Sequence, residues 1–242
     1  MENPNQYMRS LIDEFPDQVE NALSIAENFQ ISGSNGAEIK NIVISGLGGS
    51  GIGGTISSQL IENELNVPVI INNDYSLPNF TDENSLLIIS SYSGNTEETV
   101  SAVQEGIGKK ARIVCITSNG KIQEIAEEKG IEHVIIPGGY PPRAALAYSL
   151  IQQFAIMNKL NLISNSYKKE FKSSADLLKK NKEDLLQKAQ TIAKGLKGKV
   201  PVIYTEVGYE GVGVRLRQQL NENAKILCWH HCYPEMNHNE LV

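Results

Sequence analysis

Leu86-Leu87-Ile88-Ile89-Ser90-Ser91-Tyr92-Ser93-Gly94-Asn95-Thr96-Glu97-Glu98-Thr99 passes from an unbroken apolar run into small hydroxyl residues, a glycine and then a helix-forming segment. The apolar run has the composition of a strand buried on both faces. A turn that leaves such a strand and opens a helix is where an open α/β sheet takes its ligands. A helix N-terminus also offers free N–H groups and a positive partial charge to an anion. Ser91, Ser93 and Thr96 add hydroxyl donors to that set. No lysine stands in the loop, which separates it from the P-loop of nucleoside triphosphatases. The pattern suits a neutral cradle for one phosphate on a small molecule.

Outward from this stretch the chain alternates. Residues 42–44, 67–71, 86–90, 112–117 and 133–136 have strand composition, and 51–65, 96–106, 121–129 and 143–160 have helix composition. Such alternation predicts an α/β fold, a doubly wound and mainly parallel sheet covered on both faces. Ahead of it, residues 7–29 carry apolar side chains at helical spacing, with Pro16 expected to break or restart the helix. Residues 161–198 form a charged helical connector closed by Gly195 and Gly198. Alternation then resumes, with strands at 200–204 and 226–229 around a helix at 211–220. The expected division is a first domain at 1–160, the connector at 161–198, and at 199–242 the beginning of a second α/β domain, incomplete and cut short. Two strands and one helix cannot bury a core unaided.

Composition narrows the function. The chain has 242 residues, 40% hydrophobic and 21% charged, and a formal net charge of −6. That charge argues against a nucleic-acid or anionic-membrane surface. An anionic substrate must therefore be held by local groups. No apolar run approaches the roughly 20 residues of a membrane span. Residues 1–20 lack the basic-then-apolar pattern of a signal peptide. Cys115, Cys228 and Cys232 are sparse and odd in number, so a reducing, cytoplasmic location is expected.

The run Gly46-Leu47-Gly48-Gly49-Ser50-Gly51-Ile52-Gly53-Gly54 formally contains G-x-G-x-x-G, and Asp74 follows the next strand. Three readings stay open for it. It could be a nicotinamide fingerprint, a packing device that lets helix and strand approach, or, with Ser50 beside the hydroxyl-rich loop, half of a single-phosphate site. Cys228-Trp229-His230-His231-Cys232 suggests part of a zinc site. Neighbouring side chains on a strand point to opposite faces, however, and no second ligand pair stands at zinc spacing, so no metal is expected.

The four runs GLGGSGIGG, SYSGNTEET, Pro141-Pro142-Arg143 and Pro234-Glu235-Met236-Asn237-His238-Asn239-Glu240, taken in this order, resemble the bifunctional phosphoglucose/phosphomannose isomerases of the sugar isomerase (SIS) domain superfamily. The resemblance implies a phosphate site at Gly49, Ser50, Ser91, Ser93 and Thr96. It implies that Arg143 approaches the reacting carbons, where a guanidinium stabilises enediolate oxygens. It makes Glu222, at a helix C-terminus, the catalytic base, with a pKa raised by burial and the helix end. It gives His238 a part in opening the sugar ring, reaching a neighbouring subunit in a homodimer. A lysine that serves this step in the family, nearer its C-terminus, has no counterpart here.

The implied activity is aldose–ketose isomerisation of glucose 6-phosphate and mannose 6-phosphate to fructose 6-phosphate through a cis-enediol, with no cofactor and no metal. The competing expectation is a non-catalytic SIS module that binds or senses sugar phosphates.

Overall fold

The computed structural model describes residues 4–32 and 39–241. Helices α1 (Pro4–Asp13) and α2 (Phe15–Asn28) open it, with Pro16 in the first turn of α2. A proline there loses no helical hydrogen bond, so the helix restarts rather than kinks. Then follow β1 (Asn41–Ser45), α3 (Gly48–Leu60), β2 (Val69–Asn72), β3 (Ser85–Ser91), α4 (Glu97–Gly108), β4 (Arg112–Thr117), α5 (Gly120–Lys129) and β5 (Glu132–Ile135). The five strands form one sheet in the order β2-β1-β3-β4-β5, with every pair parallel.

Strand parity divides the core in two. Ile42, Ile44, Leu86, Ile88, Val114 and Ile116 face α2, α3 and α6 (Leu146–Lys159). Val43, Leu87, Ile89, Ile113 and Cys115 face α4 and α5. Helices therefore cover both faces, as the uninterrupted apolar strands require. All of β3 is buried. Burial also pushes the Cys115 thiol up to about 12, as befits a small core residue.

The sheet order places a switch point between β1 and β3. The chain leaves β1 through α3 toward β2, and leaves β3 through α4 toward β4, on opposite faces. Open sheets of this order bind ligands in the crevice between two such loops.

Beyond α6 lie α7 (Ser166–Lys180) and α8 (Lys182–Leu196). Tyr167 and Phe171 of α7 pack on Phe154 of α6, with Phe171 edge-on at 5.1 Å between ring centroids. None of α8 is buried. A second, parallel sheet of two strands follows, β6 (Val202–Glu206) and β7 (Trp229–Tyr233), joined through α9 (Glu210–Gln219). The short α10 (Glu235–Asn239) comes last. Among the described residues, no helix is long and apolar enough to cross a membrane.

Three sequence expectations shift. The long helix begins at Leu146, not 143, because Pro142–Ala144 forms a separate 3-10 turn. The last strand lies at 229–233 rather than 226–229. The strand expected at 67–71 is shorter and ends later, at Val69–Asn72.

Candidate functional site

The first glycine run is mostly helix. Only Gly46 and Leu47 lie between β1 and α3. A Cβ at Gly51 would sit 2.4 Å from the Gly46 carbonyl oxygen, and one at Gly54 2.9 Å from Ile44 Cγ2. These glycines let α3 start hard against the sheet, so the packing reading holds for them. Gly49 has a different neighbour. Its absent Cβ would meet the Pro142 carbonyl oxygen at 2.9 Å. The first turn of α3 and the Pro-Pro-Arg turn therefore touch through a glycine.

Leu47 and Thr96 stand at the N-caps of α3 and α4, and neither makes a side-chain capping bond. The first turns of both helices thus meet no capping side chain, although in α3 the Ser50 N–H turns back to the Leu47 carbonyl at 3.0 Å. Ser50 is 8% exposed, and its hydroxyl oxygen accepts a bond from Tyr92 N–H at 3.2 Å, so the two loops are tied directly. The Ser91 hydroxyl donates to Thr96 Oγ1 at 3.3 Å. Ser93 is exposed, and its Oγ accepts from Asn95 N–H. Glu97 and Glu98 stand in the first turn of α4, where their charge suits the helix dipole. They also raise the Tyr75 phenol, Glu98 more strongly, which puts both carboxylates beside Tyr75.

Sequence reasoning missed Tyr92. Its hydroxyl donates to the Pro137 carbonyl and accepts from Tyr140 N–H, both at 2.9 Å. Its own carbonyl accepts from Ser118. The side chain thus braces the hydroxyl loop against the segment leading to Pro141. The only signal in the sequence was one bulky aromatic among small residues. Gly94, at φ 66°, would place a Cβ 1.7 Å from the Asn119 carbonyl oxygen, so the turn admits glycine alone.

Arg143 lies in the 3-10 turn Pro142–Ala144, not in the first turn of a longer helix. Its Nε donates to Asn223 Oδ1 at 2.8 Å, and its carbonyl accepts from Gln219 Nε2 at 2.8 Å. Arg215 Nη2 donates to the same carbonyl. Glu222 sits in the π-helical turn Leu220–Ala224 that extends α9, a distortion common at functional sites. It is exposed, so the burial expected around a base is not supplied by these residues. It does lie close enough to Arg215 to oppose, through its charge, the lowering that burial imposes on that guanidinium.

The structure therefore joins four segments: the start of α3 with Gly49 and Ser50, the loop with Ser91, Ser93 and Thr96, the turn of Arg143, and the turn of Glu222. His238 stands apart, exposed on α10. In that segment Met236 is buried, and Glu240 makes the polar contacts to β6 and β7. The Glu240 carboxylate accepts from Tyr204 OH and pairs with His231 Nδ1 at 2.5 Å, and these bonds hold it below the usual carboxylate range.

His230 and His231 do point to opposite faces of β7. His230 bonds Thr205 under α9, where Gly213 leaves it room, and His231 faces Glu240. Among the described residues, no group of three His, Cys, Asp or Glu side chains is placed to hold a metal. Asp74 accepts from its own neighbour, Tyr75 N–H, in an exposed bend.

Both units have known relatives. Residues 37–160 match the SIS domain family, and residues 186–242 match the bacterial phospho-glucose isomerase C-terminal SIS domain. A bifunctional phosphoglucose/phosphomannose isomerase of Caldicellulosiruptor bescii is 38% identical over 234 residues, covering 94% of this chain and 69% of that protein. One of Aquifex aeolicus is 40% identical over 204 residues, covering 84% and 62%. The chain thus spans roughly two thirds of the length of these curated relatives. Among solved structures, the C-terminal domain of glucosamine-fructose-6-phosphate aminotransferase from Francisella tularensis superposes with a TM-score of 0.77 at 20% identity, over 97% of this chain and 72% of that one. At that identity the likeness establishes the SIS fold alone.

Proposed function

Because the chain belongs to the bifunctional phosphoglucose/phosphomannose isomerase family, we propose that it interconverts glucose 6-phosphate, mannose 6-phosphate and fructose 6-phosphate through a shared enediol. The observation that carries this reading is the meeting of two uncapped helix starts at the β1/β3 switch point with the Arg143 turn. The substrate phosphate sits against the first turns of α3 and α4, held by Gly49, Ser50, Ser91, Ser93 and Thr96. Both helix dipoles favour its charge. That local pull overcomes the net charge of the chain.

The anchor lies several bonds from the reacting carbons, so its binding energy orients them. An aldose phosphate and its C2 epimer lose the same C2 proton to give one enediol. In this reading Glu222 takes that proton from C2 of the open-chain sugar and returns it to C1. Arg143 stabilises the charge that gathers on the two oxygens. Rotation about C2–C3 presents either configuration to the same carboxylate. His238 assists ring opening from the neighbouring subunit of a homodimer. Every step is a proton transfer or a charge stabilisation by a side chain, so the scheme needs no metal or cofactor.

The exposure of Glu222 favours a second reading, a non-catalytic sugar-phosphate binding module. A base working near neutrality draws on burial, which this chain does not give it. A coupled assay for fructose 6-phosphate formation from each aldose phosphate separates the two. The isomerase reading expects turnover with both substrates and a loss of about 10³-fold or more in Glu222→Gln. Saturable binding of sugar phosphate without turnover favours the module.

A further inference from the structure

Arg215, Gln219 and Asn223 are spaced four residues apart and stand on one face of α9 and its π-turn. All three bond Arg143. Arg143 Nε donates to Asn223 Oδ1 at 2.8 Å, Asn223 Nδ2 donates to Gln219 Oε1 at 2.5 Å, and Gln219 Nε2 donates to the Arg143 carbonyl at 2.8 Å. These three bonds close a ring. Only one orientation of each amide completes it, because reversing either sets donor against donor or acceptor against acceptor. Arg215 Nη2 adds a further bond to the same carbonyl, while its Nη1 is buried without a hydrogen-bond partner.

The ring reaches across the molecule. On one side, the 3-10 turn carrying Arg143 is pinned against Gly49 at the start of α3. On the other, Asn223 directly follows Glu222 in the π-turn. Gly211 N–H donates to Gln59 Oε1 at 3.0 Å, which fixes the opposite end of α9 on α3. Both ends of the helix are therefore tied to the unit that carries the phosphate loops.

We propose that Gln219, Asn223 and Arg215 are positioning residues that hold the Arg143 side chain and the Glu222 carboxylate at a fixed spacing on either side of the sugar. The roles of Arg143 and Glu222 rest on the isomerase reading above, whereas the ring itself does not. A displacement of about 1 Å in a reacting group costs about 10²-fold in rate. The phosphate anchor lies on other elements, so loosening the ring lowers kcat and leaves KM nearly unchanged.

Two readouts on the full chain test this. The first is water exchange of the Arg143 Nε proton in the 15N-labelled protein, its signal identified by its loss in Arg143→Lys. Exchange is expected to be slow in the parent and about tenfold or more faster in Gln219→Leu. Equal rates in the two proteins overturn the ring, whatever the activity. The second is steady-state kinetics. Gln219→Leu should lose about 10- to 100-fold in kcat with KM within about threefold.

Asn223→Asp keeps the acceptor for Arg143 Nε and should retain clearly more kcat than Asn223→Leu. It also serves as the test if Gln219→Leu does not fold. Unchanged kcat alongside a freely exchanging Nε proton overturns the positioning role. A parent chain with a protected Nε proton and no turnover sinks the isomerase reading, and keeps the ring as the frame of a binding site.

Discussion

The five-stranded unit and the β6–α9–β7 unit are built from the same strand–helix alternation, yet they differ in how much of themselves they bury. In β3 every residue is buried, and Leu86, Leu87, Ile88 and Ile89 are 0% exposed. In the smaller sheet, Val202 is 50% exposed and Trp229 58%. Its covered face, with Ile203, Thr205 and His230, lies under α9, while Val202, Tyr204, Trp229 and Tyr233 face outward.

The residues assigned to phosphate therefore stand on a rigid scaffold. The residues assigned to proton transfer stand on a unit with little core of its own. That unit takes its position from α3 and from the Arg143 turn. Precision at the second half of the site thus depends on polar contacts between the units more than on hydrophobic packing within the smaller one.

The largest expected effect that would break this comparison is in stability. Leu87→Ala removes a fully buried side chain and should cost about 2–5 kcal/mol in urea denaturation. Val202→Thr, on the open face, should stay within about 0.5 kcal/mol. Equal losses at the two positions would mean that the smaller sheet is covered as well as the larger.

A smaller effect, in chemical reactivity, sharpens the contrast. Cys115 is buried, and its thiol is pushed up to about 12, while Cys228 and Cys232 are half-buried. Iodoacetamide on the native protein should alkylate Cys232 at least about tenfold faster than Cys115. Cys228 should react more slowly than an unhindered thiol, because burial raises it too. Labelling Cys115 as fast as Cys232 would show the larger core to be open.

What the sequence disclosed follows the same division. Strands buried on both faces leave unbroken apolar runs, so β1, β3 and β4 were legible, with β4 at its observed limits of 112–117. The strand β7 carries His230, His231 and Cys232 between exposed aromatics. Its apolar pattern is too thin to locate, and it lies three residues beyond the expected start.

The glycine run has the look of a loop because glycine is a poor helix former. Packing of Gly51 on Gly46 and of Gly54 on Ile44 makes it helix instead. At the site, hydroxyls and a glycine directly after an apolar run are a pattern that residue types alone display. The contacts of Tyr92 leave no such trace. Nor does the Gln219–Asn223 ring, because polar residues four apart on a helix look the same as a solvated face.

The proposed arrangement is one ligand, anchored by the larger unit and worked on by the smaller. Calorimetric titration of fructose 6-phosphate into the parent chain, Ser50→Ala and Glu222→Gln tests it most directly. The expected result is binding weakened about tenfold or more by Ser50→Ala, and binding within about twofold of the parent in Glu222→Gln. Loss of binding in Glu222→Gln with full retention in Ser50→Ala would contradict that arrangement, because it would put the anchor on the smaller unit.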